Sequence, residues 1–219
     1  METTNTGLGL IKTTIERVQN QNSLFTKALK KLVNSNEKQL SAFLGEAVQY
    51  ALKNLAFFCI CITGSVTEFI VGEKFQQREK KKVGVQLYIY DNFRNWLLEP
   101  MKGVKVSLEE TFSLKKFKLT KEMHDTEIQS ELQNPNPIDV KVFLPLLWSM
   151  LIAQKNGEAK DDGLIVTGYT NIFHVKLGNG RVVAVGVIWH DGEWRLDALG
   201  LDDGNRWNAG LVFFTPATA

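Results

Sequence analysis

Three histidines, His124, His174 and His190, are the residues of this sequence best suited to proton-transfer chemistry. Imidazole titrates near neutrality, so beside a carboxylate it can serve as a general base or a metal ligand. Two of them have a carboxylate as next neighbour, in His124-Asp125 and His190-Asp191. His190-Asp191 with Glu193 and Asp197 has the composition of an acid–base or metal cluster. On a strand, however, Glu193, Arg195 and Asp197 share one face and read as a solvated edge with an internal ion pair. His174 lies among apolar residues with no carboxylate beside it, and a satisfied structural histidine is the simpler reading. Asp125 reads as a helix cap.

The other candidates are weaker. Cys59 and Cys61 are the only cysteines. Two apart on a strand they point the same way, where a bond between them strains the backbone. They read as small buried hydrophobes, and the absence of a disulfide framework fits a reducing compartment. Asp202-Asp203-Gly204-Asn205 has calcium-loop composition without alternate-position oxygens or a distal glutamate, so it reads as a polar turn. No Walker loop, GxSxG elbow, HExxH or CxxC occurs. No metal and no cofactor is expected, and the reading leans away from an enzyme. Lys115, Lys116 and Lys118 interleave with Phe117, close to Lys121, and a separate run spans residues 74–82. Segments 74–82 and 115–121 could line a phosphate backbone, although dispersed surface lysines are the commoner cause of such a pattern.

These residues need elements to place them. Leu40, Phe43, Leu44, Ala47, Val48, Ala51 and Leu55 make one helical stripe, and the first 55 residues read as helical. From Phe57 the texture turns to strands, Phe57–Thr63 and Val66–Val71, expected to pair as a hairpin around Gly64-Ser65. Val83–Tyr90 alternates like a strand, a short helix follows from Asp91, and Val104–Leu119 reads as extended. Thr126–Gln129 has capping-box spacing. Asn134-Pro135-Asn136-Pro137 breaks both helix and sheet, and a boundary is placed there. Val140–Ala153 reads as an apolar helix, kinked or interrupted at Pro145.

Gly163 to Thr215 reads as a small antiparallel β-meander. Asn179-Gly180 and Asp191-Gly192 are preferred two-residue hairpin turns, because both central residues need positive φ. The second turn sets Trp189 opposite Trp194, Val187 opposite Leu196 and Val185 opposite Ala198. The first, read as a two-residue loop, sets Ile172 opposite Val187, Phe173 opposite Gly186 and His174 opposite Val185. His174 then shares the tryptophan face. The middle strand is apolar on both sides and should be covered on both, once by the Val140–Ala153 helix.

Three runs in this region are Gly168-Tyr169-Thr170-Asn171-Ile172-Phe173, Trp189-His190-Asp191-Gly192-Glu193-Trp194 and Trp207-Asn208-Ala209-Gly210-Leu211-Val212-Phe213. With Gln154-Lys155-Asn156-Gly157-Glu158 before them, they resemble a C-terminal module of a protein family from candidate-phylum bacteria with reduced genomes. Asn92-Phe93-Arg94-Asn95-Trp96 resembles a second shared element. The family has no known function, so the resemblance implies modularity and transfers no site residue.

The chain of 219 residues is 44% hydrophobic and 23% charged, which is ordinary for a folded protein with a sizeable core. The net charge is +2, but from Glu158 onward five basic and eight acidic side chains leave that part net negative. The N-terminal METTNTGLGLIK lacks a signal-peptide pattern, and Leu55–Ile62 is too short to span a bilayer. The expectation is a soluble, cytoplasmic α+β protein. It has a helical N-terminal segment, a mixed middle region and a C-terminal helix packed on the meander, divided as residues 1–135 and 138–219. Its expected role is non-enzymatic interaction or assembly with a protein partner or itself, and nucleic-acid binding is the alternative. Candidate binding residues on the rim are Tyr169, Asn171, His190 and Asn208, with Lys115, Lys116 and Lys118 for nucleic acid. An enzyme would need a pocket gathering His124, His174 and His190.

Overall fold

The computed structural model describes residues 55–63, 65–76, 84–108 and 112–217. The expected N-terminal helices and segment 77–83 lie outside these residues, as do the side chains of residues 57–63 (Cys59 and Cys61 among them) and of Asp202. The described residues belong to one compact unit, Ala51–Ala219. Among them no helix is long and apolar enough to cross a membrane.

The unit is α+β and is built on a mixed eight-stranded sheet. Its elements begin with β1 (Leu55–Thr63), β2 (Val66–Ile70), β3 (Leu87–Ile89) and α1 (Asp91–Phe93), which runs on into a π-helical turn, Arg94–Leu98. Then come β4 (Lys105–Leu108), β5 (Phe112–Leu119), β6 (Met123–His124), α2 (Asp125–Glu131), β7 (Ile138–Asp139) and α3 (Val140–Ala153). The chain ends with β8 (Asn171–Lys176), β9 (Val182–His190), β10 (Glu193–Gly200), β11 (Arg206–Trp207) and β12 (Val212–Pro216). The main sheet has the order β1-β5-β12-β8-β9-β10-β3, with β7 alongside β8. The expected hairpin of β1 and β2 does not form: β1 pairs with β5, and β2 pairs with β4. The expected meander also ends early. β8, β9 and β10 pair antiparallel in succession, but β11 leaves for β6 and β12 returns parallel to β8. Strands from both sides of Asn134–Pro137 therefore share one sheet.

Register decides which residues face which core. The Asp191-Gly192 turn has positive φ at both residues, 51° and 79°, and the second hairpin has its expected pairing, Trp189 with Trp194 and Val187 with Leu196. The first hairpin differs by one residue: Ile172 pairs with Gly186, Phe173 with Val185 and His174 with Ala184. Its loop has three residues, not two. Gly180 N–H donates to Leu177 C=O at 2.9 Å, Leu177 N–H donates to Arg181 C=O at 2.8 Å, and Gly180 takes φ 85°. Gly178 enters the turn and Gly180 becomes the left-handed bulge residue, the usual three-residue solution. A slip of one residue moves side chains to the opposite face. His174 therefore lies on the face away from Trp189 and Trp194.

One face carries Phe173, Val183, Val185, Val187, Trp194, Leu196 and Phe214 into the main core with α3. Asp139 caps α3, accepting from Lys141 N–H at 2.9 Å, and the helix is not interrupted at Pro145. Leu144, Leu146 and Leu147 around the proline are fully buried, and this packing compensates the hydrogen bond that proline removes. The other face carries Ile172, His174, Ala184, Phe117 and Phe213, buried with Met123, Ile128 and Trp207 of α2 and the β6/β11 ribbon.

Candidate functional site

His174 on this second face meets α2, an element 49 residues earlier in the chain. Helix α2 begins where the His124 backbone N–H donates to Glu127 Oε2 at 2.7 Å. Asp125 therefore sits in the first turn and does not cap the helix; its carboxylate turns into the core. His174 Nε2 donates to Asp125 Oδ1 at 2.7 Å, and Trp207 Nε1 donates to the same oxygen at 2.9 Å. Asn205 Nδ2 reaches Asp125 Oδ2 at 3.3 Å and also donates to Gly200 C=O at 2.7 Å. The other imidazole nitrogen, Nδ1, is 3.3 Å from Gln129 Nε2 and accepts from it. His124 Nδ1 donates to Asn205 C=O at 3.1 Å. Two of the three histidines thus converge on one network, and His190 stands apart at a hairpin tip, 3.0 Å from Asp191.

An aspartate–histidine pair is the ordinary apparatus of acid–base catalysis. Here both members are enclosed, His174 at 5% exposure and Asp125 at 2%, with the Phe213 ring edge-on to the imidazole at 4.7 Å. Both imidazole nitrogens and both carboxylate oxygens are engaged by protein groups. No position is left at which a substrate could meet the proton. The network ties α2, β8 and the β11 ribbon together.

Among the described residues, the covering of this face stops short of its β9, β10 and β3 side. Leu87 and Ile89 of β3 point into the main core, so Tyr88 and Tyr90 point to the second face. Each is 39% exposed, and their rings meet edge to face at 4.9 Å. Tyr88 is level with Arg195, and the Tyr90 N–H continues the ladder to Leu196 C=O at 3.0 Å, which brings Tyr90 level with Asp197. The Arg195 guanidinium lies 5.9 Å from the Tyr88 ring centre. It is also held by Asp191 at 3.2 Å and Glu193 at 3.4 Å. Asp197 pairs across the ladder with Gly186, over whose missing side chain the Thr170 methyl leans. Its carboxylate accepts from its neighbour's backbone, Ala198 N–H, at 2.8 Å. Partial burial raises its pKa above the ordinary aspartate value, and that hydrogen bond only partly opposes the shift.

The residues expected at the rim divide. Asn171 is not on the rim but fully buried: its amide donates to Ile165 C=O and Val187 C=O, and Ile165 N–H donates to its oxygen. Tyr169 is exposed and lies over Gly210, where a Cβ would come within 3.0 Å of its ring. His190 and Asn208 are exposed. Lys116 is not a surface lysine but is buried at 1% exposure, with Nζ donating to Gly163 C=O at 2.7 Å and Asp161 C=O at 3.2 Å. Lys118 is exposed and Lys115 half-buried. A recess of about 420 Å³ between β2 and α3, lined by Val66, Glu68, Phe69, Lys74, Trp148 and Ile152, is mostly apolar, and its Glu68 is paired with Lys105 at 2.9 Å. Among the described residues no group of three or more His, Cys, Asp or Glu is placed to hold a metal. Tyr88, Tyr90 and the Asp125–His174 pair escaped the sequence reading. The alternation of Leu87, Tyr88, Ile89 and Tyr90 is the signal that pointed to the exposed tyrosines.

Residues 154–158 pack against the 189–194 run. Trp194 Nε1 donates to Gln154 C=O at 3.0 Å, Gly157 lies against the Trp189 ring, and Trp189 meets Trp194 edge-on at 5.2 Å. No protein-family model, no curated protein and no solved structure matches the chain.

Proposed function

We propose that this protein is a non-enzymatic binding module that presents the open part of its sheet, around Tyr88, Tyr90, Arg195 and Asp197, to another protein. The observation that carries this reading is the unequal covering of the second face among the described residues. Its β8 side is closed by α2 and the Asp125–His174 network, and its β3 side leaves two tyrosines 39% exposed beside a half-buried aspartate. Tyrosine is enriched where proteins meet, because its ring is a large rigid surface with a polar tip. The enclosed imidazole weighs against catalysis there. The buried Lys116 weighs against a phosphate-binding row at 115–121. The resemblance of the C-terminal runs fits a shared scaffold, since residues 154–158 pack on the 189–194 run. The test is a photo-crosslinking residue placed at Tyr88, with a control at Asn179 on the far hairpin tip. Crosslinks to a defined protein from Tyr88 and none from Asn179 are expected. Equal capture at both positions, or none at Tyr88, overturns the reading.

A further inference from the structure

We propose that this strip receives a cation, the ammonium or guanidinium of a partner's lysine or arginine, with the charge on Asp197 and the side-chain stem against Tyr90 and Tyr88. The inference rests on the reading above and names the chemistry of the partner. Charge complementarity is the first argument. Of the three carboxylates Asp191, Glu193 and Asp197, Asp191 is held by His190 and Arg195 and Glu193 by Arg195, which leaves Asp197 as the one without an ion pair among the described residues. Arg195 is engaged with Asp191 and Glu193, at 3.2 and 3.4 Å, and Arg94, four residues after Tyr90, is engaged with Asp91 at 2.7 Å. Among the described residues no cation lies within ion-pair distance of Asp197. The carboxylate accepts one backbone N–H, from Ala198, and keeps lone pairs to spare.

The surroundings of Asp197 are the second argument. The residue pairs with Gly186, so no side chain stands directly opposite it on β9, and a Cβ added to that glycine would meet the Thr170 methyl at 3.1 Å. On its β3 side stands Tyr90, in edge contact with Tyr88. A half-buried carboxylate with no ion-pair partner among the described residues is partly stripped of water, which strengthens its attraction for an incoming cation. Aromatic faces attract the same cation through their quadrupoles. Ring and carboxylate together match a charged head on an apolar stem, as lysine and arginine are built.

The test titrates the full chain with an eight-residue lysine-containing peptide, followed by amide chemical shifts, with the glutamate version of that peptide as control. Saturable shifts at Tyr88, Tyr90, Arg195 and Asp197, weakening as sodium chloride is raised, are expected for the lysine peptide alone. Asp197→Asn should weaken binding about tenfold or more, the usual weight of one charge-assisted contact. Asp197→Asn removes a desolvated charge, so lost binding is not a symptom of unfolding, and its dispersed spectrum serves as the check. Tyr90→Leu should weaken binding a few-fold. Absence of lysine-specific shifts, or undiminished binding by Asp197→Asn, overturns the cation site. If crosslinks from Tyr88 persist in that case, the binding-module reading stands without it; if they are absent too, both fall.

Discussion

At the scale of single residues the two aspartates of the second face are opposites. Asp125 is enclosed with donors on both oxygens, and Asp197 is half-covered with one backbone donor. Asp125→Ala should destabilise the fold by about 3–5 kcal/mol, because it leaves His174, Trp207 and Asn205 with unmet donors in the interior. Asp125→Asn keeps an acceptor and should cost about 1–3 kcal/mol; urea denaturation of the two variants checks the order. Asp197 predicts the reverse. Its folded pKa is raised, so the folded state holds its proton more tightly than the unfolded chain. The ionised form then costs stability above the folded pKa, and that cost disappears as the pH falls below the ordinary aspartate value. Asp197→Asn should accordingly raise the melting temperature at pH 7, with the gain fading toward pH 3, a direction that melting curves at both pH values test. The sequence put Glu193, Arg195 and Asp197 on a solvated edge with an internal ion pair; Arg195 does meet Glu193, but β10 lies between β9 and β3, Glu193 is buried, and Asp197 is half-covered and outside that pair. The pairing of His174 was not readable, because its partner lies 49 residues away and one loop residue decides the face it occupies.

That loop belongs to the scale of elements. Asn179-Gly180 and Asp191-Gly192 look alike in the sequence, yet they make different turns. The second closes a two-residue loop with positive φ at both positions, whereas Gly178 draws the first into a three-residue loop with Gly180 as its bulge. Turn dipeptides thus predicted hairpins well, predicted register only where the residue before the turn could not join it, and said nothing of the parallel partners β3 and β12. Two glycines separate backbone strain from packing. Gly180 has φ 85° in open space, and Gly157 has φ 72° directly against the Trp189 ring. Gly180→Ala should cost about 1 kcal/mol through the left-handed backbone alone. Gly157→Ala adds a clash with an indole held edge-on by Trp194 and should cost about 2–4 kcal/mol. Equal losses in thermal or urea unfolding would show that the 154–158 segment does not clamp the tryptophan pair.

For the whole described unit, the composition and the Asn134–Pro137 break were readable, but the sheet that runs past the break was not. Its strands come from both sides. β5 lies beside β12, β3 lies beside β10, and α2, which closes the second face over His174, precedes the prolines. Long-range pairing of this kind leaves little trace in a local pattern, because each edge is completed by a partner far away in sequence. A fragment of residues 138–219 would bare the β5-facing edge of β12 and the β3-facing edge of β10, and would leave Ile172, His174 and Phe213 without α2. Unpaired edges and an uncovered apolar face favour unfolding or aggregation over an independent fold. The fragment should therefore give a collapsed amide spectrum or precipitate, and the full chain should unfold residues 55–217 in one transition seen alike by tryptophan fluorescence and circular dichroism. A well-dispersed spectrum with a cooperative melt from residues 138–219 alone would instead make the C-terminal runs a self-sufficient module, with β3 and its two tyrosines an added edge.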